Sequence, residues 1–352
     1  MFDSPETLAE ALAGEDYVID PEFAVVVHLA TALERPLLLE GPAGVGKTEL
    51  AKSLAAAGGR RLVRLQCYEG LDDGRALYEW DYGKQLMHVQ MLRDRIGELL
   101  SGTTTMAQAS ARLRAEDTGL YTEDFLLPRP LLEALLSPEP VVLLVDEVDR
   151  TEESMEALLL EVLAEGQVTV PEIGTFTARS TPWVVLTSND TRELSPALKR
   201  RCLHYQVAFP TPERETEIVS RRAPAVATDV VADVVELARR LRELPLRKSP
   251  SISEVIDASR AAAVLGLESA GESEKVRSTL LAALLKYGSD RELAIARLDG
   301  DGGAAVEVAE DSGWVRRSSR PADTTSGAFG KGRAASTGGS AGARDRARRG
   351  LR

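Results

Sequence analysis

PLLLEGPAGVGKTELAKSLAAAG occupies residues 36–58. Leu37, Leu38 and Leu39 form a short apolar run, a Gly-rich turn follows, and from Thr48 the apolar residues recur at helical spacing. The order is strand, loop, helix. Inside it, Gly41-Pro42-Ala43-Gly44-Val45-Gly46-Lys47-Thr48 fits the pattern G-x4-G-K-[ST]. Glycines let successive backbone N–H groups turn inward, and a helix N-terminus adds positive potential, so such a loop cradles phosphate. Residues Gly41 to Glu49 are therefore the expected phosphate-binding segment. Lys47 reaches toward the β- and γ-phosphates, and the Thr48 hydroxyl is an expected Mg²⁺ ligand. The competing reading, a Gly-rich turn with an incidental lysine, does not account for the strand before it and the helix after it.

On either side the chain keeps the same α/β rhythm. Residues 1–36 read as helical and stop at Pro36. RRLVRLQC (60–67) is a second strand, and helical stretches with loops fill 85–137, including QLMHVQMLRDRIGELL (85–100). PVVLLVDE (140–147) is apolar throughout, as in a parallel strand covered on both faces. RTEESMEALLLEVLAEG (150–166) is a helix with Thr151 as expected N-cap and Gly166 as its stop. QVTVPEIGTFTA (167–178) reads as a hairpin, and PWVVLTSND (182–190) as another core strand. LSPALKRRC (194–202) is a short helix before the strand LHYQVAF (203–209). Beyond Pro210 the pattern is helical only, over 212–222, 230–244, 251–265 and 275–288. The expected layout is an α/β domain over 1–210, a small all-helical lid over 211–299, and a disordered basic tail over 300–352.

Two acids end the strand over 140–147. Asp146 at a strand terminus suits a magnesium ligand acting mostly through water, and Glu147 suits a base that orients and deprotonates an attacking water. Asn189 ends the next core strand, where an amide can position water beside a γ-phosphate; a turn-starting asparagine is the plainer alternative. Arg201 ends a short helix and is the candidate arginine that a neighbouring subunit inserts into the site, with Arg200 the alternative. Ordinary surface arginines at a helix C-terminus are the plain reading of both. Gln66, ending the second strand, is positioned to tether Glu147. Tyr68, Tyr78, Trp80 and Tyr82 form an aromatic cluster better explained by local packing than by contact with a client. Cys67 and Cys202 read as small core residues, and Glu152 with Glu153 as a solvated first helical turn.

The 352 residues are 43% hydrophobic and 28% charged, which suits roughly two globular domains. No apolar run reaches the length of a membrane helix, and the acidic N-terminus lacks the order of a signal peptide. Two cysteines cannot build a disulfide framework, and three histidines stand at no ligand spacing. A cytoplasmic location is the expectation. The net charge of −12 conceals a tail, residues 313–352, with ten Lys/Arg and two Asp. The remaining body is about 20 charges negative, which argues against a nucleic-acid translocase and against binding to anionic membranes.

Taken in order, these motifs resemble an AAA+ ATPase, and more narrowly the MoxR family, over roughly residues 15–290. RLVRLQCYEGLDDGRALYEWDYGKQLMHVQ (61–90) resembles the accessory ATPases encoded beside aerobic carbon monoxide dehydrogenase and related molybdenum hydroxylases. EVLAEGQVTVPEIGTFTA (161–178) resembles the hairpin inserted before the sensor strand in this clade. The resemblance implies ATP and Mg²⁺ as ligands and a homo-oligomeric ring, usually a hexamer, that remodels or matures a client. It also implies a partner with a von Willebrand factor A domain, Asn189 as sensor 1, and Arg201 as the trans-acting finger. One departure stands out: where relatives read Ser-Pro-Arg at the third lid helix, this chain has Ser249-Pro250-Ser251. Sensor 2 therefore has no assignment, with Arg247, Lys248 and Arg260 as possible substitutes. A nucleotide-dependent scaffold with negligible turnover is the alternative to a chaperone.

Overall fold

The computed structural model describes residues 2–92, 100–102, 105–109, 121–171, 173–266 and 274–300. Apart from Gly300, the expected tail lies outside the described residues, as does the part of the 85–100 helix over 93–99.

Two helices come first, α1 (Pro5–Gly14) and α2 (Pro21–Ala32). Ser4 and Asp20 cap them by accepting from N–H groups of the first turn, and each helix has proline at its start. Next come β1 (Leu37–Glu40), α3 (Lys47–Ala57), β2 (Leu62–Gln66), α4 (Asp73–Leu77), β3 (Tyr78–Trp80) and α5 (Tyr82–Met91). After these follow β4 (Leu126–Pro128), α6 (Pro130–Leu136), β5 (Val142–Asp146) and α7 (Glu153–Glu165). The hairpin β6 (Gln167–Val170) and β7 (Gly174–Thr177) leads to β8 (Trp183–Ser188), α8 (Pro196–Arg201) and β9 (Leu203–Gln206).

Five of these strands form one parallel sheet in the order β2-β5-β8-β1-β9. Every residue of β1, β5 and β8 is buried. Successive side chains alternate between two cores, as strand geometry requires. Leu37, Leu39, Val142, Leu144 and Val185 face a core shared with α1, α2 and α3. Leu38, Leu143, Val145, Val184 and Leu186 face the opposite core, with α6 and α7. A sheet covered on both faces needs a continuous apolar run, and that is what these strands carry.

The remaining helices are α9 (Pro212–Arg222), α10 (Thr228–Arg242), α11 (Ile252–Val264), α12 (Glu274–Leu284) and α13 (Gly288–Gly300). They pack around their own core, which includes Val219, Val231, Val234, Leu241, Val255, Leu281 and Leu284. Thr211 caps α9. Two small elements escape the hydrophobic pattern: the antiparallel pair β3–β4, which joins Trp80 to Leu126, and α13.

One expectation is corrected. Glu152, not Thr151, is the N-cap of α7, and it makes no side-chain cap bond. The Thr151 hydroxyl is buried and donates to the Val148 carbonyl, so it closes the short 3₁₀ turn over Val148–Arg150 instead. Glu152 and Glu153 are exposed, as a solvated first turn should be.

Candidate functional site

Four of the five expected site segments sit at the C-terminal ends of parallel strands. Gly41 follows β1, Gln66 ends β2, Asp146 ends β5 with Glu147 just after it, and Asn189 follows β8. Open α/β sheets bind ligands at this edge. Here it opens into a cavity of about 550 Å³, lined by Ala43 to Glu49 together with Asp146, Glu147, Thr187 and Asn189. Val18, Ile218, Ile252 and Ile256 form an apolar wall.

The loop between β1 and α3 can be built only with glycine at key points. Gly41 has φ of +146°, and a Cβ there would collide with the Val207 carbonyl. Gly44 has φ of +77°, and a Cβ there would collide with the Ser251 side chain. Lys47 is buried, and its ammonium donates to the carbonyls of Gly41 and Pro42 at 2.7 Å each and to Asn189 Oδ1 at 3.1 Å. Burial lowers its pKa, while the carboxylates of Asp149, Asp146 and Glu147 act in the opposite sense.

Asp146 is buried and fully engaged. Its Oδ1 accepts from the hydroxyls of Thr48 at 2.9 Å and Thr187 at 2.6 Å, and its Oδ2 accepts from Arg64 at 2.6 Å. Glu147 has φ of +58°, the left-handed conformation that costs a non-glycine residue of order 1 kcal/mol or more. Its N–H donates to Thr187 Oγ1 at 2.9 Å. Its carboxylate meets Arg150 at 2.9 Å, Gln66 Nε2 at 3.3 Å and Asn189 Nδ2 at 3.3 Å. The expected contact between Gln66 and Glu147 is thus present. Asp149, one turn on, is buried; burial works against its charge, but hydrogen bonds from Thr191 hold its carboxyl below the usual range.

Arg201 is not brought into this cavity. It is exposed on α8 and has no side-chain partner among the described residues; the Arg200 side chain is exposed as well. Glu49 pairs with Lys52 at 3.2 Å and with Arg222 of α9 at 2.7 Å. Of the possible sensor 2 substitutes, Arg260 lines the cavity. Arg247 lies over the Tyr287 ring, and Lys248 pairs with Glu254. Tyr78, Trp80 and Tyr121 pack edge to face, consistent with a local role for the aromatic cluster, while Tyr82 is exposed.

Sequence reasoning missed Thr187, Arg64 and Arg222. The hydroxyl of Thr187 interrupts an otherwise apolar strand, which is a usable signal. Arg64 and Gln66 alternate on one face of β2, but their meeting with Asp146 and Glu147 depends on the register of β2 against β5.

The donor set fits a nucleotide and its metal. The site offers a glycine-rich loop at a helix N-terminus, Lys47 as a buried cation, and the apolar wall as a place for a base. Mg²⁺ is ordinarily held by one or two carboxylates together with phosphate oxygens, and Thr48 with Asp146 matches that demand.

Residues 36–202 match the AAA domain (dynein-related subfamily) family. The chain is 28% identical over 231 residues to Protein NorQ of Paracoccus denitrificans (strain Pd 1222), covering 65% of this chain and 72% of that one. Among solved structures it matches the Thermotoga maritima RuvB Holliday junction branch migration motor at TM-score 0.42 and 14% identity, over 84% of this chain and 78% of the other. A mutant of that RuvB matches at TM-score 0.41 and 15% identity, over 80% of this chain and 70% of the other. With the glycine-rich loop, the strand-end acids and the strand-end asparagine converging on one cavity, residues 36–202 match an AAA domain and the chain is similar to a MoxR-like AAA+ ATPase.

Proposed function

We propose that this protein binds and hydrolyses ATP and uses the turnover to remodel or mature a client enzyme. The observation that carries the reading is the convergence of Lys47, Thr48, Asp146, Glu147 and Asn189 on one cavity. In this reading the amides of residues 41–49 and the Lys47 ammonium bind the phosphates, and Thr48 and Asp146 hold the metal. Mg²⁺, when bound, offsets charge on the phosphate oxygens. Glu147 accepts the proton of the attacking water, and Asn189, already bonded to both Lys47 and Glu147, orients that water. Arg201 completes the site of a neighbouring subunit in a homo-oligomeric ring, most simply a hexamer.

The helices over 211–299 serve as a lid on the nucleotide domain over 1–210. Ile218, Arg222, Ile252 and Arg260 from these helices line the cavity, which supports that division. In this reading the setting is cytoplasmic and a partner carries a von Willebrand factor A domain, both supported by the sequence resemblance. Among the described residues no helix is long and apolar enough to cross a membrane. The resemblance of residues 61–90 supports a molybdenum hydroxylase, such as carbon monoxide dehydrogenase, as the client.

Lys47→Ala tests the nucleotide reading. It should abolish ATP binding by calorimetry while leaving the far-UV circular dichroism unchanged; unaltered affinity would overturn the assignment. Phosphate release measured against protein concentration separates an enzyme from a scaffold, since only an enzyme completed between subunits gains specific activity on assembly. Affinity capture on Glu147→Gln, with ATP present, tests the client. Recovery of no molybdenum enzyme from cells that make one would count against that choice.

A further inference from the structure

Among the described residues, Arg64 is the cation that bonds directly to the buried strand-end aspartate. It stands on β2 two residues before Gln66, with both side chains on the face that meets the end of β5. Its guanidinium reaches Asp146 Oδ2 at 2.6 Å and also donates to Gln66 Oε1. The same amide of Gln66 donates through Nε2 to Glu147 at 3.3 Å. The polarity of that amide is fixed from both sides: its oxygen faces a cation and its nitrogen a carboxylate. Arg64 therefore touches one acid directly and the other through Gln66.

The distribution of partners on Asp146 gives this contact a consequence. Oδ1 already accepts from two hydroxyls, those of Thr48 and Thr187. Oδ2 accepts from Arg64. A magnesium ion held beside Thr48, directly or through water, draws on the same carboxylate, and its negative charge cannot fully serve two cations at once. Asp146 is nearly inaccessible, its side chain 4% exposed, whereas the Arg64 side chain is 47% exposed and free to turn into solvent. The aspartate stays and the arginine is the mobile partner.

We propose that Arg64 competes with the divalent metal for Asp146, and that its displacement also releases the Gln66 amide from its set orientation on Glu147. Metal arrival and freeing of the catalytic base are then one event. Arg64 is a positioning residue, acting through Asp146 and Gln66. The inference rests on the nucleotide reading above and names the side chain that tunes its metal requirement.

The test reads metal dependence of binding rather than turnover. Binding of a non-hydrolysable ATP analogue is followed by calorimetry across a Mg²⁺ series. Mn²⁺ binding to the protein with ADP is followed by electron paramagnetic resonance. Arg64→Gln should lower the half-saturating metal concentration about tenfold in both, the change expected when one charge-assisted hydrogen bond ceases to compete. Gln66→Ala removes the link to Glu147 but keeps Arg64 on Asp146, so its half-saturation should stay within about twofold of wild type, a limit set by the modest worth of a neutral hydrogen bond. An unchanged or raised metal requirement in Arg64→Gln overturns the competition. A shift in Gln66→Ala as large as that in Arg64→Gln overturns it too. Failure of the wild-type protein to bind the analogue at any Mg²⁺ concentration would instead defeat the nucleotide reading itself.

Discussion

Glu147 is held in a left-handed turn with its amide on Thr187 and its carboxylate among Arg150, Gln66 and Asn189. Backbone strain beside a strand-end acid is affordable only where the surroundings over-determine it, and here four neighbours do so. Glu147→Gln keeps the volume and most of the hydrogen bonds and loses the base. It should bind ATP with Mg²⁺ and hydrolyse it at least about a hundredfold more slowly. Near-normal phosphate release in that variant would place the base elsewhere. The cysteines make an independent residue-scale test. Burial pushes the Cys67 thiol up to about 12, with the carboxylates of Asp146, Asp149 and Glu147 adding to it, and burial does the same for Cys202. Alkylation needs the thiolate. Both thiols should therefore resist iodoacetamide at pH 8 in the folded protein and react quickly once denatured, as mass spectrometry would record.

At the scale of elements, the loop after β1 and the start of α11 are joined at one tight contact. The Ile252 N–H at the start of α11 donates to the Gly44 carbonyl at 3.3 Å, and Ser251 fills the space a Cβ on Gly44 would need. Arg222 adds the ion pair to Glu49, and Arg260 donates to the Arg222 carbonyl at 2.7 Å. Ser251 thus packs against the loop. Gly44→Ala should cost about 1–2 kcal/mol from the left-handed backbone alone, and more from the collision. Adding Ser251→Gly should recover the steric part but not the backbone part. Denaturant unfolding of the four proteins in the cycle measures that coupling, expected at about 0.5–3 kcal/mol for residues in contact. Additive effects would mean that the loop and α11 are independent.

The same elements explain what the sequence could and could not disclose. β1, β5 and β8 were legible because burial on both faces demands unbroken apolar runs, and the phosphate loop because its glycines answer to backbone geometry. The β3–β4 pair was not: each strand has three residues, and Tyr78 finds Pro128 fifty positions away. Such pairing is set by tertiary context and leaves no period to read. α13 carries too few apolar residues for its spacing to stand out, with Ala294 its buried contact to the helical core. Arg64 was invisible for a third reason. Its significance lies in Asp146 across a strand pair, and one residue of slip in register would send it to the other face.

For the whole molecule, the decisive question is whether one chain holds a complete site. Lys47, Thr48, Asp146, Glu147 and Asn189 meet in one cavity, while Arg201 stands exposed on α8. The loop between Asn189 and α8 is clamped to the rest of the site by buried groups. Asp149 accepts from Thr191, and Glu156 accepts from Arg192 at 2.6 Å and from the Ser195 N–H at 2.9 Å. α8 is therefore a rigid mount, suited to presenting an arginine outward. If that arginine serves a neighbour, Arg201→Ala should bind ATP nearly normally, since the binding groups are all its own. Hydrolysis should nevertheless fall about 10³-fold or more, the worth of such fingers elsewhere. Mixing Arg201→Ala with Glu147→Gln subunits should then restore activity. Wherever an intact Glu147 in one subunit faces an intact Arg201 in the next, one whole site forms, and neither variant alone can form it. A ring that fires all sites in concert would block rescue, so the single variant is read first. Wild-type turnover by Arg201→Ala would move the finger to Arg200 or remove it from the reaction.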